Sequence, residues 1–189
     1  MSALFTTVAS VLFATSAFAS HATVPLQISL AEWQPQVGDH LLLDTKDNWG
    51  YMMHDNGLYI RFPIATGQRR NVWYIGRYYN AATPNWNWEL KSESIKGDRV
   101  TFGPTGRFLR LYKDGDTRTP YGIHGHRDAD EMMESDERFR SMGCVIVKED
   151  MLDLIEQTYE LNGELLDVQT VYGNPFTVLV SKTLIDTAN

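Results

Sequence analysis

Cys144 is the one cysteine of the chain, and it closes the run Ser141-Met142-Gly143-Cys144, downstream of Tyr121-Gly122-Ile123-His124-Gly125-His126. A lone thiol makes no intramolecular disulfide, and in an exported protein it is a candidate reactive group. A free thiol is a weak nucleophile near neutral pH until a base or an electropositive pocket draws off its proton. A histidine at the end of an apolar strand, with a cysteine behind glycine in a tight turn, supplies such a pair. The plain alternative is a small buried hydrophobe, flanked by Val145, Ile146 and Val147.

All five histidines (His21, His40, His54, His124 and His126) precede Cys144. That order excludes the papain-like arrangement, in which the nucleophile comes before its histidine. His124 and His126 fall on one face of a strand, so either can approach the thiol or line its pocket. His124, His126 and Asp128 also start a possible metal set, similar to the H-x-H-x-D-H run of metallo-β-lactamase-like hydrolases. Ala129 stands where that run needs a further histidine, and none follows. The ligand set is incomplete, so no metal and no cofactor are expected.

These residues need a scaffold, and the pattern around them is mostly β. Strands are expected over His40–Asp44, Tyr51–His54 and Leu58–Thr66, with turns at Asp47–Gly50 and Asp55-Asn56-Gly57. Asn71–Tyr79 reads as one further strand, and 80–93, with Pro84, Asn85, Trp86, Asn87 and Trp88, as a surface loop. Arg99–Phe102, Arg107–Tyr112 and Tyr121–His124 follow as strands, with a turn-like stretch over Gly115–Pro120. Asp128–Arg138 is polar with room for a short helix. Asp150–Leu161 has helical spacing and a stop at Asn162-Gly163. Leu165–Tyr172 and Phe176–Lys182 close the pattern as a strand pair. The expected fold is mostly β (α+β), with one main helix after the cysteine.

The chain has 189 residues and a formal net charge of −7. That length suits one domain with a full core. The acidic balance and the lack of a basic run argue against a nucleic-acid partner and against a polybasic membrane patch. Met1–Ala19 carries no charged side chain and ends in Ala17-Phe18-Ala19. This reads as a signal peptide with an A-x-A cleavage site, although its start lacks the usual Lys or Arg. Residues 20–37 form a lead-in segment, 38–182 the domain and 183–189 a tail. The mature chain is expected to be soluble, in the periplasm or outside the cell, with no membrane contact after cleavage.

Sixteen residues separate His124 from Ser141-Met142-Gly143-Cys144, and this constellation resembles the signature of the YkuD-type L,D-transpeptidases: a histidine, a gap of this size, then Ser/Thr-His-Gly-Cys. Asn56-Gly57, Phe62-Pro63-Ile64-Ala65-Thr66-Gly67 and Thr83-Pro84 resemble the family's early hairpin, its P-V-S-T-G strand end and the T-P that opens its next segment. The resemblance implies a β-sandwich or barrel with one main helix. It also implies a two-step acyl transfer on peptidoglycan stem peptides. In that reading Cys144 is the nucleophile and His124 the base. The N–H groups of Met142, Gly143 and Cys144 are oxyanion donors, Gly143 lets the backbone approach the substrate, and Ser141 braces the turn or the imidazole. His126, Met142, Trp86 and Trp88 are expected to line the groove.

Two positions depart from the pattern. Met142 stands where many members have histidine. Ile146 stands where many have the arginine of Gly-Cys-Ile-Arg, a feature similar to the YafK-type branch, which reads Gly-Cys-Tyr-Ala. Arg107, Arg127, Arg138 and Arg140 are the candidates to replace that charge. The acidic stretch Asp128, Asp130, Glu131, Glu134, Asp136 and Glu137 is either a flap that meets an acceptor ammonium or a solvated surface. The competing readings are a sortase-like transpeptidase, which spaces its pair more widely, a non-catalytic wall-binding module, and a secreted antibacterial effector with the same chemistry.

Overall fold

The computed structural model describes residues 24–93, 98–173 and 175–176. The expected signal peptide, the tail and most of the second closing strand lie outside these residues. Thirteen strands are described: β1 (Leu26–Gln27), β2 (His40–Asp44), β3 (Trp49–Met53), β4 (Leu58–Pro63), β5 (Thr66–Gly67), β6 (Asn71–Tyr74), β7 (Arg77–Asn80), β8 (Asn87–Glu93), β9 (Phe108–Lys113), β10 (Thr117–His124), β11 (Phe139–Ser141), β12 (Val145–Ile146) and β13 (Leu166–Val171). Two α-helices, α1 (Ala129–Glu134) and α2 (Glu149–Leu161), follow β10 and β12 respectively. The expectation of a mostly β fold with one main helix holds. Among the described residues no helix is long and apolar enough to cross a bilayer.

One mixed sheet of nine strands organises the molecule, in the order β1-β4-β3-β2-β13-β8-β9-β10-β12. Alternation along the strands sends Leu41, Leu43, Met52, Ile60, Leu90, Leu109, Leu111, Ile123 and Val168 into one core. Helix α2 buries Met151, Leu152 and Ile155 against the same core, using its i, i+1, i+4 stripe. Those positions are the source of the helical spacing seen in the sequence.

Within the lead-in, β1 pairs in parallel with β4, and Trp33 is buried in the core. Three local expectations are corrected. Asn71–Tyr79 is a hairpin of its own, β6 against β7, turning at Ile75-Gly76 with φ of 48° and 76°. A β-branched residue in the left-handed region is unusual and costs roughly 1–2 kcal/mol, so the sequence gives no turn signal at Ile75. Residues 80–93 are a loop only as far as Trp86, because β8 pairs with both β13 and β9. Arg99–Phe102 lies in turns.

Candidate active site

Strand β10 runs out of the core and ends at His124. Short β12 lies parallel to it, with Ile123 opposite Val145 and His124 opposite Ile146. One step back along both chains sets Cys144 beside Gly122. Antiparallel β9 lies on the other side of β10, with Arg110 opposite Gly122 and Phe108 opposite His124. The sheet face away from Ile123 therefore carries two cross-strand rows. One is Arg110, Gly122, Cys144; the other is Phe108, His124, Ile146. Cross-strand partners share a face, so Cys144 and His124 project to the same side.

The turn that presents the thiol is braced by Ser141. Its Oγ donates to the Cys144 carbonyl at 2.5 Å and accepts from the Gly143 N–H at 3.0 Å. Gly143 has φ of 119°, and a Cβ there would lie 2.7 Å from Tyr121 Cε1. Both the dihedral and the contact require glycine. The Gly143 N–H is already bonded to Ser141, which removes it from the expected oxyanion donors and leaves those of Met142 and Cys144. The Tyr79 hydroxyl donates to the Met142 carbonyl at 3.0 Å and ties the hairpin to this turn. Met142 is exposed at the mouth.

The Cys144 thiol is half-buried and lies 3.8 Å from the Pro120 carbonyl. Burial pushes it up to about 11, although the Gly122 N–H and the Arg110 cation both favour the thiolate. Arg110 is buried in the middle of β9; Nη1 donates to the Thr119 carbonyl at 2.7 Å, and the guanidinium lies 4.7 Å from the Phe108 ring centre. None of Arg107, Arg127, Arg138 and Arg140 is placed in this row. Arg107 is held by Glu149, Asp153 and Glu156 of α2. Arg127 pairs with Asp128, and Arg138 and Arg140 bond backbone carbonyls. Arg110 is thus the cation that the sequence reading missed. Its signal was an arginine in the apolar run Phe108-Leu109-Arg110-Leu111, in phase with Phe108 and opposite to the core positions.

His124 is 4% exposed. Its ring stacks on Phe108 at 5.7 Å and meets the edge of Phe102 at 5.1 Å. Nδ1 lies 2.6 Å from the Gly125 carbonyl. A carbonyl only accepts, so Nδ1 carries the proton and Nε2 holds the lone pair of the neutral ring. Burial pushes His124 down to about 4, against the Gly125 and Thr101 carbonyls, which favour its charged form. Among the described residues no hydrogen bond joins imidazole and thiol; each is bonded to a backbone carbonyl instead. The Phe108 ring fills the space above Gly122, where a Cβ would lie 2.3 Å from Phe108 Cζ.

The loop that carries Thr101 and Phe102 is pinned from behind. Glu149 Oε2 accepts from Thr105 Oγ1 at 2.8 Å and from Arg107 Nη2 at 2.9 Å. His126 does not join the thiol. Its Nδ1 accepts the Asp128 N–H at 3.0 Å, and its ring lines a separate cleft with Pro104, Asp130 and Lys148. The acidic stretch is anchored: α1 buries Ala129 and Met133 beside Ala65 and Ile146, and Asp130 bonds Lys148 at 2.8 Å. Trp86 is 40% exposed, whereas Trp88 is 3% exposed and donates Nε1–H to Thr170 Oγ1 at 2.9 Å. Trp88 is therefore a support for Trp86 and Tyr121, whose rings it meets, rather than a groove residue. Strand β8 begins at Asn87, and alternation turns residue 88 inward.

A family model described as the L,D-transpeptidase catalytic domain, YkuD, matches residues 38–176. No curated protein matches the chain. Among solved structures, the fold is similar to that of an L,D-transpeptidase from Xylanimonas cellulosilytica DSM 15894, with a TM-score of 0.51 and 18% identity. That likeness covers 73% of this chain and 62% of the other, less than two thirds of the other chain's length. At such identity the likeness is one of fold.

Proposed function

The chain belongs to the YkuD family of L,D-transpeptidase catalytic domains, and from that premise we propose that it is an exported cysteine acyl-transferase acting on L,D-peptide bonds of peptidoglycan stem peptides. The observation that carries this reading is the shared face of β10 and β12, which sets a braced cysteine one row from a buried, neutral histidine. The proposed domain layout is a signal peptide over 1–19, a lead-in over 20–37, the catalytic domain over 38–182 and a tail over 183–189.

In the resting protein both partners are neutral: the thiol is protonated and Nε2 of His124 holds a free pair. A base must be unprotonated to act, and His124 meets that condition above about pH 4. The thiol–imidazole contact forms when the substrate carbonyl arrives, since catalytic hydrogen bonds often close only in the Michaelis complex. His124 takes the thiol proton as Sγ attacks the carbonyl on the L-centre side of the bond. The N–H groups of Met142 and Cys144 meet the oxyanion. Arg110 stabilises the negative charge on sulfur from across Gly122. His124 then returns the proton to the departing amine and leaves an acyl-thioester on Cys144. An amine acceptor gives a crosslink or an exchange product, and water gives hydrolysis.

The test is incubation of the mature protein with purified muropeptides, wild type beside Cys144→Ala, read by mass spectrometry. Loss or exchange of the terminal D-amino acid, or a new dimer, is expected only with Cys144 present. Identical product sets from the two proteins would leave a wall-binding module as the better reading.

A further inference from the structure

The β6–β7 hairpin forms a two-stranded sheet apart from the main one. Its cross-strand register pairs Trp73 with Tyr78, Asn71 with Asn80, Val72 with Tyr79 and Tyr74 with Arg77. The ribbon therefore has two faces. One carries Val72, Tyr74, Arg77 and Tyr79, and Tyr79 reaches the cysteine turn through Met142. The other carries Asn71, Trp73, Tyr78 and Asn80, and all four are exposed. Trp73 is 63% and Tyr78 71% exposed, with the two rings 5.1 Å apart edge to face. No structural need explains this aromatic pair, because it covers no core.

The charge around it is also distinct. From Asn56 to Trp88 the chain has four arginines and no Asp, Glu or Lys, within a protein of net charge −7. Arg70, just before the hairpin, is exposed, and Arg77 is exposed on the ribbon's other face, the one that carries Tyr79. Ring faces flanked by side-chain amides are the chemistry that binds a pyranose: the rings cover the C–H face of the sugar and the amides meet its hydroxyl and acetamido groups. Nearby arginines complement carboxylates. A chain of N-acetylated sugars bearing acidic peptides offers both at once.

We propose that the exposed face of the hairpin is a docking surface for the glycan strand, which holds polymeric substrate so that its peptides reach the Cys144 turn. This deepens the functional reading and rests on it for the substrate. Two features argue for that occupant: the charge complementarity, and the continuity of the ribbon with the cysteine turn through Tyr79 and Met142. The surface differs from the groove expected at Trp86 and Trp88.

The experiment measures binding apart from turnover. Cys144→Ala, with and without Trp73→Ala/Tyr78→Ala, is sedimented with purified insoluble peptidoglycan and titrated with a β-1,4-linked N-acetylglucosamine oligomer and with free stem tetrapeptide. Expected is at least a tenfold loss of binding to peptidoglycan and to the sugar oligomer in the triple variant, no change towards the tetrapeptide, and an unchanged melting midpoint. In the active background, Trp73→Ala/Tyr78→Ala should slow turnover of polymer and spare that of soluble stem peptide. Equal sedimentation of the variants overturns the proposal. So does an equal loss of turnover on both substrates, or a wild-type dimer that Trp73→Ala/Tyr78→Ala dissolves, which would assign the face to a second copy. Sugar binding without any Cys144-dependent turnover in the wild type would keep this surface and remove the enzymatic reading instead.

Discussion

His54 and His124 are each 4% exposed, yet the groups around them differ. His54, just past β3, stacks on Trp33 at 3.8 Å, and its Nδ1 meets Asp39 Oδ1 at 2.5 Å. The Asp39 carboxylate fixes the ring, and the Trp33 stack joins the lead-in to the sheet. His124, at the end of β10, has aromatic rings on its faces, and its Nδ1 meets the uncharged Gly125 carbonyl. With no carboxylate at the ring among the described residues, burial decides, and the ring stays neutral well below its ordinary range. Burial alone does not distinguish these two histidines; the charge of their hydrogen-bond partners does.

The comparison breaks most sharply at the level of turnover. His124→Gln should slow muropeptide turnover by about 10²–10⁴-fold, the usual worth of a general base, with the melting midpoint little changed. His54→Gln should show the reverse: weaker folding and ordinary turnover per folded molecule. Steady-state rates beside thermal melts give both readouts. Loss of turnover in His54→Gln at full folding would erase the distinction.

Stability is the next largest effect. Asp39→Ala removes the His54 partner and also the acceptor of the Gln36 N–H, and should cost about 3 kcal/mol in urea unfolding. The pH dependence sharpens the same contrast from the other side. His124 is held near 4 in the folded chain, against 6.5 for the ordinary side chain. As pH falls through that interval, the unfolded chain binds the proton first. The stability linked to this histidine is therefore complete above 6.5 and lost progressively towards 4, by roughly 3 kcal/mol. In His124→Gln that part of the acid slope should vanish, and unfolding midpoints from pH 7 to pH 4 measure it.

The smallest effect concerns the thiol. Replacing Arg110 with Met should slow iodoacetamide alkylation of Cys144 at about pH 9 by up to about tenfold, and Lys should restore it. An alkylation profile that both substitutions leave unchanged would remove Arg110 from the account.

How much of this was legible depended on whether the controlling contacts were local. The α2 stripe of Met151, Leu152 and Ile155 and the Asn56-Gly57 turn obey local rules, and both stand as read. The spacing from His124 to Cys144 marked the correct strand pair because parallel β10 and β12 need a connection of that length. The hairpin at Ile75-Gly76 escaped because its turn uses an apolar residue where local rules place Asn or Asp. Trp88 was misread because Pro84 and the asparagines mask the start of β8. Arg110 has a local signal in its phase within the apolar run, but Phe108 and Phe102 reach the site across the sheet or from the loop after Asp98, and no spacing along the chain reports those contacts.

The most direct test of the central claim is the intact mass of the protein after brief mixing with a soluble disaccharide tetrapeptide. The expected result is a covalent adduct on Cys144, equal in mass to the disaccharide tripeptide acyl group left after loss of the terminal D-amino acid, that is absent in Cys144→Ala and forms slowly in His124→Gln. An unmodified Cys144 beside substrate that is consumed at the same rate by Cys144→Ala would contradict it.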